Sequence, residues 1–239
     1  MSELVSNDNR QHDWTVLISR HSIITRLTHW LNVVCLSFLL LSGLQIFNAH
    51  PELYWGHFGA DGDPAVLTIG SDGRGEDQRG FVRVGGAELT TTGVLGVSNA
   101  DDGRTPRAFP AWSTIPAFPD LATGRRWHFF FAWFFVINGV VYLLYGVLSR
   151  HLWRDLTPTR EQLSRHHLWR EILDHARLRF PQGNEARHYN ALQKLTYLAV
   201  IIILLPMMAL TGLTMSPGID AAFPWLVDLF GGRQSARTI

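Results

Sequence analysis

Charge is scarce in this 239-residue chain and cysteine is almost missing. Only 17% of the residues are charged against 46% hydrophobic, and the charges are clustered. That composition argues against an ordinary soluble domain and for a small integral membrane protein. The single cysteine, Cys35, excludes an internal disulfide and reads as a small buried residue in mid-span. Neither an HExxH sequence nor a pair of cysteines occurs, so no zinc pattern can be drawn. Nor is a secretory signal peptide expected. Residues 1–19 have no apolar core, and the first hydrophobic run is too long and is not followed by a small-residue cleavage pattern.

What the chain does have is three apolar runs of about the ~20 residues that an α-helix needs to cross ~30 Å of hydrocarbon. They lie at 20–47, 127–148 and 191–215, the last interrupted by Pro206. The expected fold is all-α and integral to the membrane, a bundle of three transmembrane helices with a long outer loop between the first and second. The expected division is an arm at 1–19, spans at 20–47, 125–149 and 189–216, an insert at 48–124, a basic loop at 150–188 and an outer segment at 217–239. Gly, Pro, Asp and Thr dominate the insert, with β-like pieces at 65–69 and 80–84. Its aromatic stretch 108–119 reads as ordered, with a path along the membrane surface as one reading. Residues 163–180 show helical spacing of apolar residues and read as an amphipathic interfacial helix.

Basic residues set the orientation. Eight arginines fall between 150 and 188, while the insert mixes arginines with about as many acids. The positive-inside rule therefore places the N-terminus and the 150–188 loop in the cytoplasm, and the insert outside. Arg125 and Arg126 run against that rule, which points to a specific task for them.

Two histidines sit inside spans, His29 in the first and His128 in the second. An intramembrane imidazole is costly unless something binds it, and so marks a functional site. With the spans antiparallel the two lie at opposite depths. On a helix, Gly43 follows His29 about 40° around and ~21 Å along, and Gly139 follows His128 about 20° around and ~16 Å along. Each helix thus offers an imidazole at one level and a missing side chain near the other, as two flat macrocycles stacked across a membrane require. Paired imidazoles suit haem iron and electron transfer, and Arg26, Arg125 and Arg126 stand where they can meet haem propionates. The bland alternative is an interhelical hydrogen bond at each histidine. Eight of the eleven histidines, His151 among them, lie in polar loops and read as solvated. At the start of the third span, Asn190 and Gln193 share a face and read either as donors to a quinone head group or as helix caps.

At these residues the chain resembles the di-haem cytochrome b membrane subunits of nickel-iron hydrogenases, formate dehydrogenases and thiosulfate reductases. The match rests on Arg26-Leu27-Thr28-His29-Trp30 with Ser42-Gly43-Leu44, and on Arg125-Arg126-Trp127-His128-Phe129 with Asn138-Gly139. Tyr189-Asn190-Ala191-Leu192-Gln193-Lys194 with Thr211-Gly212-Leu213 completes it. The resemblance implies two haems b with His29 and His128 as axial metal ligands, and a quinone near Asn190 and Gln193. It also implies partner ligands on a fourth helix following residue 239, so the chain is expected to lack its C-terminal helix. Expected partners are membrane lipid, quinone or quinol and a periplasmic redox enzyme subunit of molybdopterin or iron–sulfur type, with no nucleic acid. The chain is then an electron-transfer subunit and holds no catalytic residue of its own. Two other readings stay open: a haem-free membrane anchor or transporter, and a stand-alone b-type cytochrome reductase.

Overall fold

The computed structural model describes residues 22–59, 63–100, 103–179 and 189–239. The expected arm at 1–19, and His188 in the basic loop, lie outside them. Three helical stretches are long and apolar enough to cross a membrane: Ile23–Phe47, Leu121–Leu148 and Ala191–Leu213.

Helix α1 (Ile23–Phe47) starts where the Ser22 hydroxyl accepts the Thr25 amide, satisfying one of the orphan donors of the first turn. Helix α2 (Leu121–Leu148) starts where Asp120 does the same for Thr123. It therefore begins earlier than the expected 125, because an acidic N-cap draws the chain into a helix before the apolar run opens. α1 and α2 pack side by side over buried Cys35, Leu39 and Phe135, with the Phe38 and Phe131 rings stacked at 4.0 Å. Leu205 and Ala209 of the third span close this core.

The third span is not uniform. Helix α3 (Arg165–Ala176), amphipathic as expected but shorter, precedes it. The span itself runs through α4 (Ala191–Leu198), a π-helical stretch (Ala199–Leu204) and α5 (Leu205–Leu213). Pro206 has no N–H to give the turn before it, and the chain widens there into π turns.

The expected all-α reading holds for the spans and fails for the insert. Strands β1 (Glu52–Leu53), β2 (Leu67–Asp72), β3 (Arg79–Val84) and β4 (Ala87–Thr90) form an antiparallel sheet in that order, with Ile69 opposite Val82. β5 (Val97–Ala100) and β6 (Gly103–Pro106) form a hairpin. The hairpin can lie on the sheet because Gly96, at φ +78°, brings its backbone against the Gly70 carbonyl, where no Cβ fits. The long loop is thus a small folded β unit, made possible by glycines at its turns and crossings.

This unit is fastened to the end of α1. The Arg107 guanidinium donates to Gln45 Oε1 at 2.6 Å and to the Thr114 hydroxyl at 2.7 Å. Asn48 Oδ1 accepts the Phe109 amide at 2.7 Å, and the Leu41 carbonyl accepts the Ile115 amide at 3.1 Å. Residues 108–119 are therefore ordered and bonded back onto the end of α1. Residues 217–239 form three short helices, α6 (Pro217–Ala222), α7 (Trp225–Leu229) and α8 (Arg233–Thr238). The Gly56 carbonyl accepts the first amides of α8, and the Ser235 hydroxyl accepts the Gly56 amide at 2.7 Å.

Candidate functional site

The register between α1 and α2 places both histidines. At the insert end, His128 Nδ1 lies 3.0 Å from the Ser42 hydroxyl. That hydroxyl donates its one proton to the Phe38 carbonyl at 2.6 Å, so it must accept from an Nδ1–H. The donor count fixes the tautomer and leaves Nε2 with its lone pair for a metal. Such an outer hydrogen bond is what orients a metal-ligating imidazole. A Cβ added to Gly43 would stand 3.5 Å from His128 Cε1. Gly43 is therefore at the level of His128, as its spacing predicts, and the space it leaves is shared with the imidazole itself.

At the opposite end, His29 stands edge-on to Trp30 and lines a cavity of about 780 Å³, within the usual range for small-molecule and cofactor sites. Gly139 lines the same cavity, and a Cβ there would meet nothing within 4 Å. Arg26 also lines it, and the walls are largely apolar residues of α2 and of the third span, chiefly its α5 part. At the His29 level Asn138 ties α2 to α1. Its amide donates to the Thr28 carbonyl at 2.8 Å and to Asn32 Oδ1 at 2.7 Å, one helix turn around His29. Such bonds between membrane helices contribute about 0.6 to 1.7 kcal/mol each. The cavity, the open face of Gly139 and the His29 imidazole fit a haem at that level.

Arg125 and Arg126 lie on exposed positions of the second turn of α2, close to His128 in sequence. Asn190 and Gln193 form a reciprocal capping box. Asn190 Oδ1 accepts the Gln193 amide at 2.8 Å and Gln193 Oε1 accepts the Asn190 amide at 3.4 Å. Of the polar group at this end it is Tyr189 and Tyr197, not these two, that line the His29 cavity.

Three residues that sequence reasoning did not single out shape the site. Ser42 and Asn138 were visible only as neighbours of the glycines, because their partners lie 86 and 110 residues away. His151, expected to be solvated, is instead 16% exposed and lines the cavity. Arg150, at φ 57°, turns the chain out of α2 into a π-helical turn (Leu152–Leu156) that carries it inward. Among the described residues no cluster of three or more His, Cys, Asp or Glu could hold a metal ion.

Comparison with known proteins places the chain in a family. The chain is 26% identical over 214 residues to a protein of Azospira oryzae named as a protein-methionine-sulfoxide reductase subunit, YedZ1, covering 90% of this chain and 77% of that one. No solved structure matches. A family model described as Prokaryotic cytochrome b561 matches residues 20–239. On that match the chain belongs to the prokaryotic cytochrome b561 family, membrane b-type cytochromes that bind haem b and take part in electron transfer.

Proposed function

We propose that the chain passes electrons between a membrane quinone and a partner redox enzyme through two haems b, ligated by His29 and His128. The observation that carries this reading is the crossed register: Gly43 opposite His128, and Gly139 in the cavity of His29. Haem, when bound, supplies a reversible one-electron iron couple buried in a low-dielectric site. The chain's own residues do the rest. Ser42 holds the His128 tautomer, Asn138 sets the turn of α1 that presents His29, and Gly139 leaves room beside it. Arg26 is assigned to the propionates at one level, and Arg125 and Arg126 to those at the other.

The second ligand of each iron is one that, by resemblance, a fourth helix of the family architecture would supply. The quinone head group is placed at the start of the third span. The carbonyl oxygens of Asn190 and Gln193 are engaged in the cap there, so their amide NH₂ groups are the donors it would meet. The insert is the docking face for the partner. The name of the Azospira relative favours a methionine sulfoxide reductase as that partner, with a molybdopterin or iron–sulfur enzyme, or a hydrogenase, as the other classes. The N-terminus is assigned to the cytoplasm of a bacterial inner membrane and the insert to the outside.

The test is the reduced-minus-oxidised absorption spectrum of the purified full-length gene product. Two b-type components are expected, one lost in H29A and the other in H128A. A spectrum that keeps both components in either variant overturns the ligand assignment. Failure of a quinol to reduce the protein removes the quinone part of the reading.

A further inference from the structure

We infer that His151 and Asp155 form a proton-transfer dyad that takes up the protons of a quinol bound beside the haem, at the end of the His29 cavity that Tyr189 lines next to Asn190. This rests on the quinone reading above.

The geometry is that of an oriented base. His151 Nδ1 lies 2.7 Å from Asp155 Oδ2. The carboxylate holds the proton on Nδ1, which leaves the Nε2 lone pair as the acceptor. His151 is only 16% exposed and lines the cavity, whereas Asp155 is 44% exposed and reaches solvent. One end of the pair therefore meets the cavity and the other meets water.

The turn carrying the dyad is held firmly. Leu152 and Leu156 are buried, and Leu152 sits on Gly146 of α2 so closely that a Cβ there would fall 2.9 Å from Leu152 Cγ. On the other side Lys194 of α4 donates to the Thr157 carbonyl and to Gln162. The titratable groups around His151 are Tyr142 of α2, with Tyr145 beside it, Tyr189 and Tyr197 at the third span, Lys194 on α4, and Arg26 and His29 across the cavity. The neighbouring Arg150 and Arg154 are exposed. Asp155 is the only carboxylate bonded to the ring among the described residues.

The step balances as follows. Each of the two O–H bonds of a quinol breaks, its proton going to His151 Nε2 and its electron to a one-electron acceptor, the part that haem held at His29 would supply. The imidazolium formed is stabilised by Asp155 and gives its proton to water before the second transfer. The products are quinone, two protons and two one-electron reducing equivalents on that acceptor, and the same groups serve the reverse direction. Positioned acid–base groups contribute about 10² to 10⁴ in rate.

The experiment uses the full-length haem-loaded protein in nanodiscs, with H151N and D155N. Binding of an alkyl-hydroxyquinoline N-oxide is followed by fluorescence quenching, and haem reduction by a short-chain quinol is followed in a single turnover across pH 5.5 to 8.5. The quinol-induced infrared difference spectrum is recorded as well. The expected result for H151N is an unchanged haem spectrum and inhibitor affinity within about threefold. Its reduction should be slowed about 100-fold, with the pH inflection and an imidazolium band both lost. D155N should fall between the two. Wild-type rate and pH profile in H151N overturn the dyad and leave the quinone site standing. Loss of inhibitor and reduction together in H151N assigns the residue to binding and also overturns it. A wild type that binds no inhibitor and is not reduced by quinol overturns the quinone reading itself.

Discussion

The Ser42 hydroxyl stands 3.0 Å from His128 Nδ1 while giving its own proton to the Phe38 carbonyl. One serine thus joins a backbone carbonyl of α1 to the imidazole of α2, and the orientation of His128 depends on a residue of the neighbouring helix.

Replacing Ser42 with alanine removes that acceptor and frees the ring to rotate. Loss of an outer-shell partner typically lowers metal affinity 10- to 100-fold. S42A is expected to lose haem from the His128 site in that range while the His29 site is unaffected. Haem titration of the apo-protein, followed by absorption, measures both.

The two glycines should respond differently to added bulk. An alanine at Gly43 places its Cβ 3.5 Å from the His128 ring, an ordinary contact, so G43A is expected to retain both haems. A leucine at Gly139 projects into the His29 cavity and should exclude the haem there. Loss of one b-type component in G139L and none in G43A is the expected pair of spectra.

Arg107 joins the insert to Gln45 and Thr114. Hydrogen bonds from a charged donor are worth about 1.5 to 3 kcal/mol each when partly buried, and solvent at this half-buried site brings the expected total to about 2 kcal/mol. R107M should leave the spans and their haems in place and loosen the insert. Limited proteolysis of the variant in detergent should cut within 48–119 several-fold faster than in the wild type.

Asp120 provides the acid test. Hydrogen bonds from Thr123, side chain first and then backbone, hold its carboxyl below the usual range. A carboxylate with a lowered folded-state pKa adds stability above its unfolded pKa of about 3.9 and loses it as pH falls through the folded value. The cap of α2 is therefore expected to weaken below about pH 4. D120N keeps an acceptor for the Thr123 amide and should flatten the pH dependence of unfolding in that window. Identical profiles for D120N and wild type would sink the assignment.

The spans were legible because a run of about twenty apolar residues has few alternatives in water or lipid. The pairing of His29 with Gly139, and of His128 with Gly43, followed from helix geometry alone, since antiparallel neighbours exchange levels. The insert was half-legible. β2 and β3 were seen as β-like pieces, but β6, Gly103–Pro106, is polar and fully exposed and leaves no alternating pattern to read. The Asn190 to Gln193 spacing carried a capping signature as well as a donor pair, and the structure uses it as the cap. His151 was hidden because its burial depends on the backbone reversal at Arg150, and arginine is not a residue whose presence announces a left-handed turn.

The separation of the two imidazoles also has an electrical meaning. Ser42, at the level of His128, is thirteen residues along α1 from His29, or about 20 Å of a hydrocarbon core of ~30 Å. An electron moving between the two proposed haem levels therefore crosses roughly two thirds of the membrane field. At about 2.3 kcal/mol per charge per 100 mV across the full thickness, each passage does or absorbs about 1.5 kcal/mol of work per 100 mV. The cytochrome is then a coupling element whose rate follows the membrane voltage.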